Sequence, residues 1–324
     1  MAALDRDVLP PILKPLHYKL DIYDLELGGE FSFAGTVRID IGVKSPTKSI
    51  IINAHKLKLR TAQVSGQKAS EITYDEKRQR ATLEFPEVIQ ESKNSVLQIE
   101  YTGIMNSDMA GFYRSKYKPK DQPAKSVPKE GEHHLMFSTQ FESCDARRAF
   151  PCFDEPNLKA SFDVSIELPN DQIALSNMPE KESKSSSKPG QKLLAWVVAD
   201  LKYVETRTSR SYNGEKLPVR VYTTPGHEKQ GQFGADVCAK VVDFYSDIFE
   251  LEYPLPKIDL VAVHEFSHGA MEVRSSANNV QRQVNNPLQN WGLITYRTTA
   301  ILYDPETSDA FYKNRVSYVV AHGE

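Results

Sequence analysis

The chain has 324 residues, with 40 Lys+Arg against 43 Asp+Glu and a formal net charge of −3. That length exceeds what one hydrophobic core usually supports, so two domains are expected. The near-neutral balance leaves no electrostatic footprint for nucleic acid or an anionic membrane, and no apolar run approaches the ~18 residues of a spanning helix.

Residues 1–7 carry Asp and Arg where an export signal would be hydrophobic. Three cysteines, Cys144, Cys152 and Cys238, cannot all pair, and a reducing, cytoplasmic setting fits them. Strand-like alternation then dominates the first two hundred residues. Tyr18, Leu20 and Ile22 alternate with polar neighbours, as do Val37, Ile39, Ile41 and Val43. The pattern recurs at Ala81, Leu83 and Phe85, and at Phe162, Val164, Ile166 and Leu168. Gly, Pro, Asn and Ser clusters separate these runs, as expected of an antiparallel β-sandwich or saddle. Two stretches, 117–132 and 180–190, are too polar to bury apolar surface and read as exposed loops.

The pattern changes after about residue 208. Phe233, Val237, Val241, Phe244 and Ile248 follow the spacing of an amphipathic helix. Residues 258–263 form a short apolar strand, and Tyr312, Val316, Val319 and Val320 give a second helical stripe. The expectation is therefore mostly β followed by α/β, divided into 1–208 and 209–324.

His264-Glu265-Phe266-Ser267-His268 matches H-E-x-x-H literally. That motif binds zinc only on a helix, where both imidazoles share one face and Glu acts as base. Here the five residues leave an apolar strand and run into Gly269, so a loop role is the favoured reading. An endopeptidase built on His264, Glu265 and His268 is the lesser alternative.

Two blocks carry much more information. Residues 137–168 read FSTQFESCDARRAFPCFDEPNLKASFDVSIEL, and Gly269-Ala270-Met271-Glu272 is followed later by Asn290-Trp291-Gly292-Leu293-Ile294-Thr295-Tyr296-Arg297. Joined, the latter read GAMENWGLITYR. The chain closely resembles the gluzincin zinc aminopeptidases, of the aminopeptidase N and puromycin-sensitive type, over nearly its whole length. The resemblance implies an N-terminal antiparallel β-saddle domain and the start of a thermolysin-like catalytic domain. It also implies removal of N-terminal residues from peptides by a zinc-activated water. Glu142 and Glu272 would hold the substrate's free α-amine, Gln140 would line the first side-chain pocket, and Gly269, Ala270, Met271 and Asn290 would lie along the peptide. An aminopeptidase must hold a protonated amine at the end of a closed pocket, which requires converging carboxylates.

The chain departs from that family in three places. Residues 273–289 split the signature with an Asn- and Gln-rich, loop-like segment that should displace Asn290. His322 matches the first zinc ligand, but Gly323 stands where the catalytic Glu belongs, and no second His or third ligand follows. One imidazole cannot make a three-ligand site, so the chain is expected to bind no zinc tightly and to be inactive. Both features fit unspliced introns, since Val codons begin GT and one Gln codon is CAG, so 273–289 could read through in frame; a real inserted loop and a real truncation are the alternative. The third departure is a connection between Met178 and Leu193 that looks shortened. The competing class is a metal-free peptide-binding module. Peptides with a free N-terminus are the expected partners; residue preference and oligomeric state stay open.

Overall fold

The computed structural model describes residues 8–117, 134–168, 172–180, 182–184, 187–191, 197–271 and 292–323. Among them, the first unit is built on an eight-stranded sheet. Leu13–Tyr23 and Ser32–Val43 lie at its centre. Ser92–Ile104, Lys58–Val64 and Gln67–Lys68 extend one side, and Ser161–Ile166, Ser187–Gln191 and Glu182–Lys184 the other. Pairing is antiparallel except between Leu13–Tyr23 and Ser161–Ile166, which run parallel. A three-stranded sheet of Thr47–Asn53, Arg80–Ile89 and Glu71–Asp75 contributes to the same core.

The alternation read from the sequence is what closes this core. Val37, Ile39, Ile41 and Val43 are buried on one face of their strand, and Leu20, Ile22, Ala81, Leu83 and Phe85 join them. Each Val, Ile, Leu or Phe among them contributes roughly 1.5–3 kcal/mol when fully removed from water. The last predicted strand departs from the pattern. Val164, Ser165 and Ile166 are buried in succession, because the Ser165 hydroxyl donates to the Asp21 carboxylate, and Leu168 lies beyond the strand.

The polar stretch 180–190 is not simply a loop. Glu182–Lys184 and Ser187–Gln191 form a hairpin whose second strand pairs with Ser161–Ile166, Val164 opposite Gln191. A sheet-edge ladder satisfies backbone groups without apolar side chains, which is why composition missed it. Apart from Tyr117, the stretch 117–132 lies outside the described residues.

A four-stranded sheet, Ile173–Leu175, Val197–Ala199, His134–Gln140 and Gly111–Tyr117, leads to the second unit. That unit is a five-stranded sheet in the order Lys202–Tyr212, Glu215–Thr223, Ile258–Val263, Leu293–Arg297, Ala270–Met271. Ile258–Val263 runs parallel to both neighbours and all six of its residues are buried, the pattern of a central parallel strand. Residue 208 lies within Lys202–Tyr212, so this sheet begins a few residues before the division expected from composition.

The helix Gln232–Phe249 forms where the apolar spacing predicts it, but it buries a different face. Ala235, Cys238, Ala239 and Val242 are buried, whereas Phe244 and Ile248 are 58% and 56% exposed. Phe233, Val237 and Val241 are half-buried. Small residues allow close approach: a Cβ at Gly234 would sit 2.7 Å from Ile301 Cδ1. The final helix, Ala310–Gly323, buries Val316 and Val320 but leaves Tyr312 exposed. No helix of the described residues is long and apolar enough to cross a membrane.

The rotated face gives a direct test. Val242→Ala should cost about 1–3 kcal/mol of unfolding free energy, while Ile248→Ala should stay within about 0.5 kcal/mol. Urea midpoints in the opposite order would reverse the assignment of the two faces.

Candidate functional site

Ala270–Met271 is the edge strand of the five-stranded sheet. Ala270 lies opposite Tyr296 and Met271 opposite Thr295, in antiparallel pairing. One side of this short strand is thus committed to Leu293–Arg297; among the described residues no strand pairs with the other, a sheet edge of the kind that accepts an added peptide strand. The entry to it is fixed by Arg297. Its backbone N–H donates to Gly269 O at 2.9 Å, and its guanidinium donates to Phe266 O and Ser267 O at 3.0 and 2.9 Å. Composition gave no sign of this role; the one clue was a cation closing an apolar strand.

Gln140 arrives from the other unit. It ends His134–Gln140, opposite Gly111, and is only 3% exposed, with its amide nitrogen 4.0 Å from Met271 Sδ. Gly111 has φ +71°, and a Cβ there would lie 2.4 Å from Arg148 Cβ, so glycine is required. Glu142 follows two residues later and is exposed, with no ion pair to it among the described residues. The structure therefore brings Gln140 to Met271 and leaves Glu142 open to solvent nearby in sequence. Glu272 and Asn290 lie outside the described residues.

The rest of the conspicuous 137–168 block is anchorage. The Arg147 guanidinium pairs with Asp154 at 2.9 Å, both largely buried, and Arg148 pairs with Asp145 at 2.6 Å. Cys152 and Asn53 exchange backbone hydrogen bonds of 2.9 and 3.1 Å, and Phe153 N–H donates to the Tyr18 hydroxyl at 3.1 Å. The Cys152 bonds tie the segment after Gln140 and Glu142 to the three-stranded sheet, and the Phe153 bond ties it to the eight-stranded one.

His264 to His268 form bends between strands, not a helix. His264 stacks on Tyr117 with ring centroids 5.4 Å apart, and its Nε2 shares a 3.1 Å hydrogen bond with Thr224. Glu265, at φ +50°, accepts from the Lys116 N–H at 3.1 Å, and His268 is exposed with its Nδ1 against Ser267 Oγ. The two imidazoles have separate partners, so the endopeptidase alternative has no helical face on which to stand. The segment instead fastens the approach to the edge strand onto Gly111–Tyr117.

His322 lies on an exposed position of the last helix, its ring stacked on Tyr318. Among the described residues no group of three or more His, Cys, Asp and Glu is placed to hold a metal ion.

Burial pushes the His264 imidazole down to about 4, with His227 adding repulsion and Glu265 opposing it. A histidine held neutral in the fold contributes stability above its unfolded value of about 6.5, lost as pH falls toward 4. His264→Phe keeps an aromatic ring beside Tyr117 and removes the titration. The stability difference between parent and variant, from urea midpoints at pH 7 and pH 4.5, should shift in the variant's favour on acidification. An unchanged difference would show that His264 does not titrate as described.

Comparison with known proteins identifies the family. Residues 14–198 match the Peptidase M1 N-terminal domain, and residues 233–323 match the Peptidase family M1 domain. The alanine/arginine aminopeptidase of Saccharomyces cerevisiae is 40% identical over 333 residues, covering 98% of this chain and 35% of that protein. The puromycin-sensitive aminopeptidase of Caenorhabditis elegans is 37% identical, over 99% of this chain and 32% of its own length. Aminopeptidase M1 of Arabidopsis thaliana is 38% identical, over 93% and 33%. The chain spans about a third of the length of these relatives. With domain matches along most of its length and an edge strand facing a buried glutamine, the chain belongs to the M1 peptidase family.

Proposed function

We propose that the chain is the N-terminal portion of a zinc metallo-aminopeptidase and supplies the part that recognises a peptide's free N-terminus. The observation that carries this reading is the edge strand Ala270–Met271 lying against Gln140, which arrives from a different sheet. A peptide added to that edge would lie along Gly269, Ala270 and Met271 and pair with the backbone groups not already committed to Leu293–Arg297. Its first side chain would meet Gln140, and its ammonium would be drawn to the Glu142 and Glu272 carboxylates. Relatives named as aminopeptidases support peptides as the ligand. We further propose the division into a saddle domain and an incomplete catalytic domain, with 273–289 an insertion in the substrate edge. Free thiols at Cys144, Cys152 and Cys238 support a reducing, cytoplasmic setting.

In this 324-residue chain, Gly323 follows His322 and occupies the position where the resemblance puts the catalytic Glu, the general base. The proposal is therefore binding without turnover. Titration with a short peptide should show binding that N-acetylation weakens by about tenfold or more, and Glu142→Gln should do the same. An aminoacyl amide incubated with the chain and added Zn²⁺ should remain intact. Equal binding of blocked and unblocked peptides would sink the amine-recognition reading, and hydrolysis that a chelator stops would sink the claim of inactivity.

A further inference from the structure

Lys257 and Asp259 are 5% and 2% exposed, and no part of the amine-recognition reading uses them. Lys257 precedes the central strand Ile258–Val263, and its ammonium has three protons to place. Its Nζ lies 2.5 Å from the Asp259 carboxylate, 2.7 Å from Ser176 O and 2.9 Å from Gly292 O. Three donors thus meet three acceptors from three separate segments. Ser176 and Asn177, themselves buried, belong to the first unit, and Gly292 opens the strand Leu293–Arg297.

Gly292 is held from every side. Its carbonyl also accepts from the Asp259 N–H at 3.1 Å. Its φ is +80°, and a Cβ there would lie 2.3 Å from Asn177 O. The chain can pass this point only as glycine, in one conformation, pressed against the first unit. Arg220, 3.8 Å from the other Asp259 oxygen and 2.8 Å from Glu205, adds a second cation. Burial pushes the ammonium down and the carboxylate up, and their mutual attraction opposes both shifts.

We propose that Lys257 is a positioning residue for the peptide-binding edge: by clamping Gly292 to Ser176, it fixes the start of Leu293–Arg297, whose far end carries Gly269 to Met271. The inference rests on the reading of Ala270–Met271 as the recognition edge. The register supports it. Asp259 lies opposite Leu293 and Val263 opposite Arg297, so a strand fixed at its first residue presents Arg297 to Gly269 and Thr295 to Met271 without slack. A plain structural ion pair would stabilise the whole fold; a positioning clamp acts chiefly on the edge ladder.

Amide hydrogen exchange separates the two. Lys257→Met alone strands a buried carboxylate and threatens folding. The double variant Lys257→Met with Asp259→Asn removes both charges and still loses the clamp on Ser176 and Gly292. In it, the Arg297 amide, bonded to Gly269 O, should exchange about a hundredfold faster, while the Ile39 amide in the first core changes by less than about threefold. An unchanged Arg297 rate, or equal acceleration at both amides, overturns the proposal. Should the double variant not fold, the parent chain decides: the Asp259 and Arg297 amides should have protection within about tenfold of each other, as parts of one opening unit. An Arg297 amide exchanging about a hundredfold faster than Asp259 would show the edge opening on its own and overturn the clamp. Peptide titration of the same samples keeps the two readings apart. A parent chain that binds no free-amine peptide fails the recognition reading while leaving the exchange result standing.

Discussion

The strand Leu293–Arg297 must satisfy two partners of opposite direction. On one side it runs parallel to Ile258–Val263, and on the other antiparallel to Ala270–Met271. Because side chains alternate with a period of two, a slip of one residue on the parallel side would turn every side chain of the strand over. It would also move the edge strand relative to everything it faces. The geometry of the recognition surface is thus inherited from a buried parallel ladder some distance away, and the edge itself has little freedom.

The two units meet through a shared apolar cluster that makes this inheritance rigid. Tyr113, Tyr117, Met136, Leu175 and Val197 come from the four-stranded sheet. Tyr222, Val261, Val263, Met271 and Leu293 come from the five-stranded one, and Phe266 from the bends between two of its strands. Met271 therefore belongs both to the edge strand and to the packing between units. Interiors of this density resist small displacements, so Gln140 and the edge strand keep their relation although they are far apart in sequence.

Much of the architecture was legible in the residues, and what was not has identifiable causes. Period-two alternation found the strands around Leu20, Ile39 and Leu83, because a sheet with one buried face imposes that period. The run at 258–263 was equally clear, since a strand buried on both faces is apolar throughout. Helix existence was legible from 233 to 248, but its orientation was not: large apolar residues advertised one face while Ala235, Cys238 and Ala239 supplied the closer-packing one. The hairpin at 182–191 was hidden because main-chain pairing leaves no compositional trace. At the site, Gln140 and Met271 were named from the family blocks and the structure brings them together. The roles of Arg297 and Lys257 were not legible because both act largely on backbone carbonyls, which every residue has.

The connection between Met271 and Leu293 has a cost in chain statistics. About 20 residues separate two strands that pair at two positions among the described residues. Bringing together chain positions that far apart, in place of about 4 residues, raises the closure entropy by about 1.4 kcal/mol. A two-residue ladder offers little to offset it, since each hydrogen bond contributes about 1 kcal/mol net. In the folding sequence, the parallel strands and the packing between units should therefore consolidate first, with the edge strand docking last onto a finished surface.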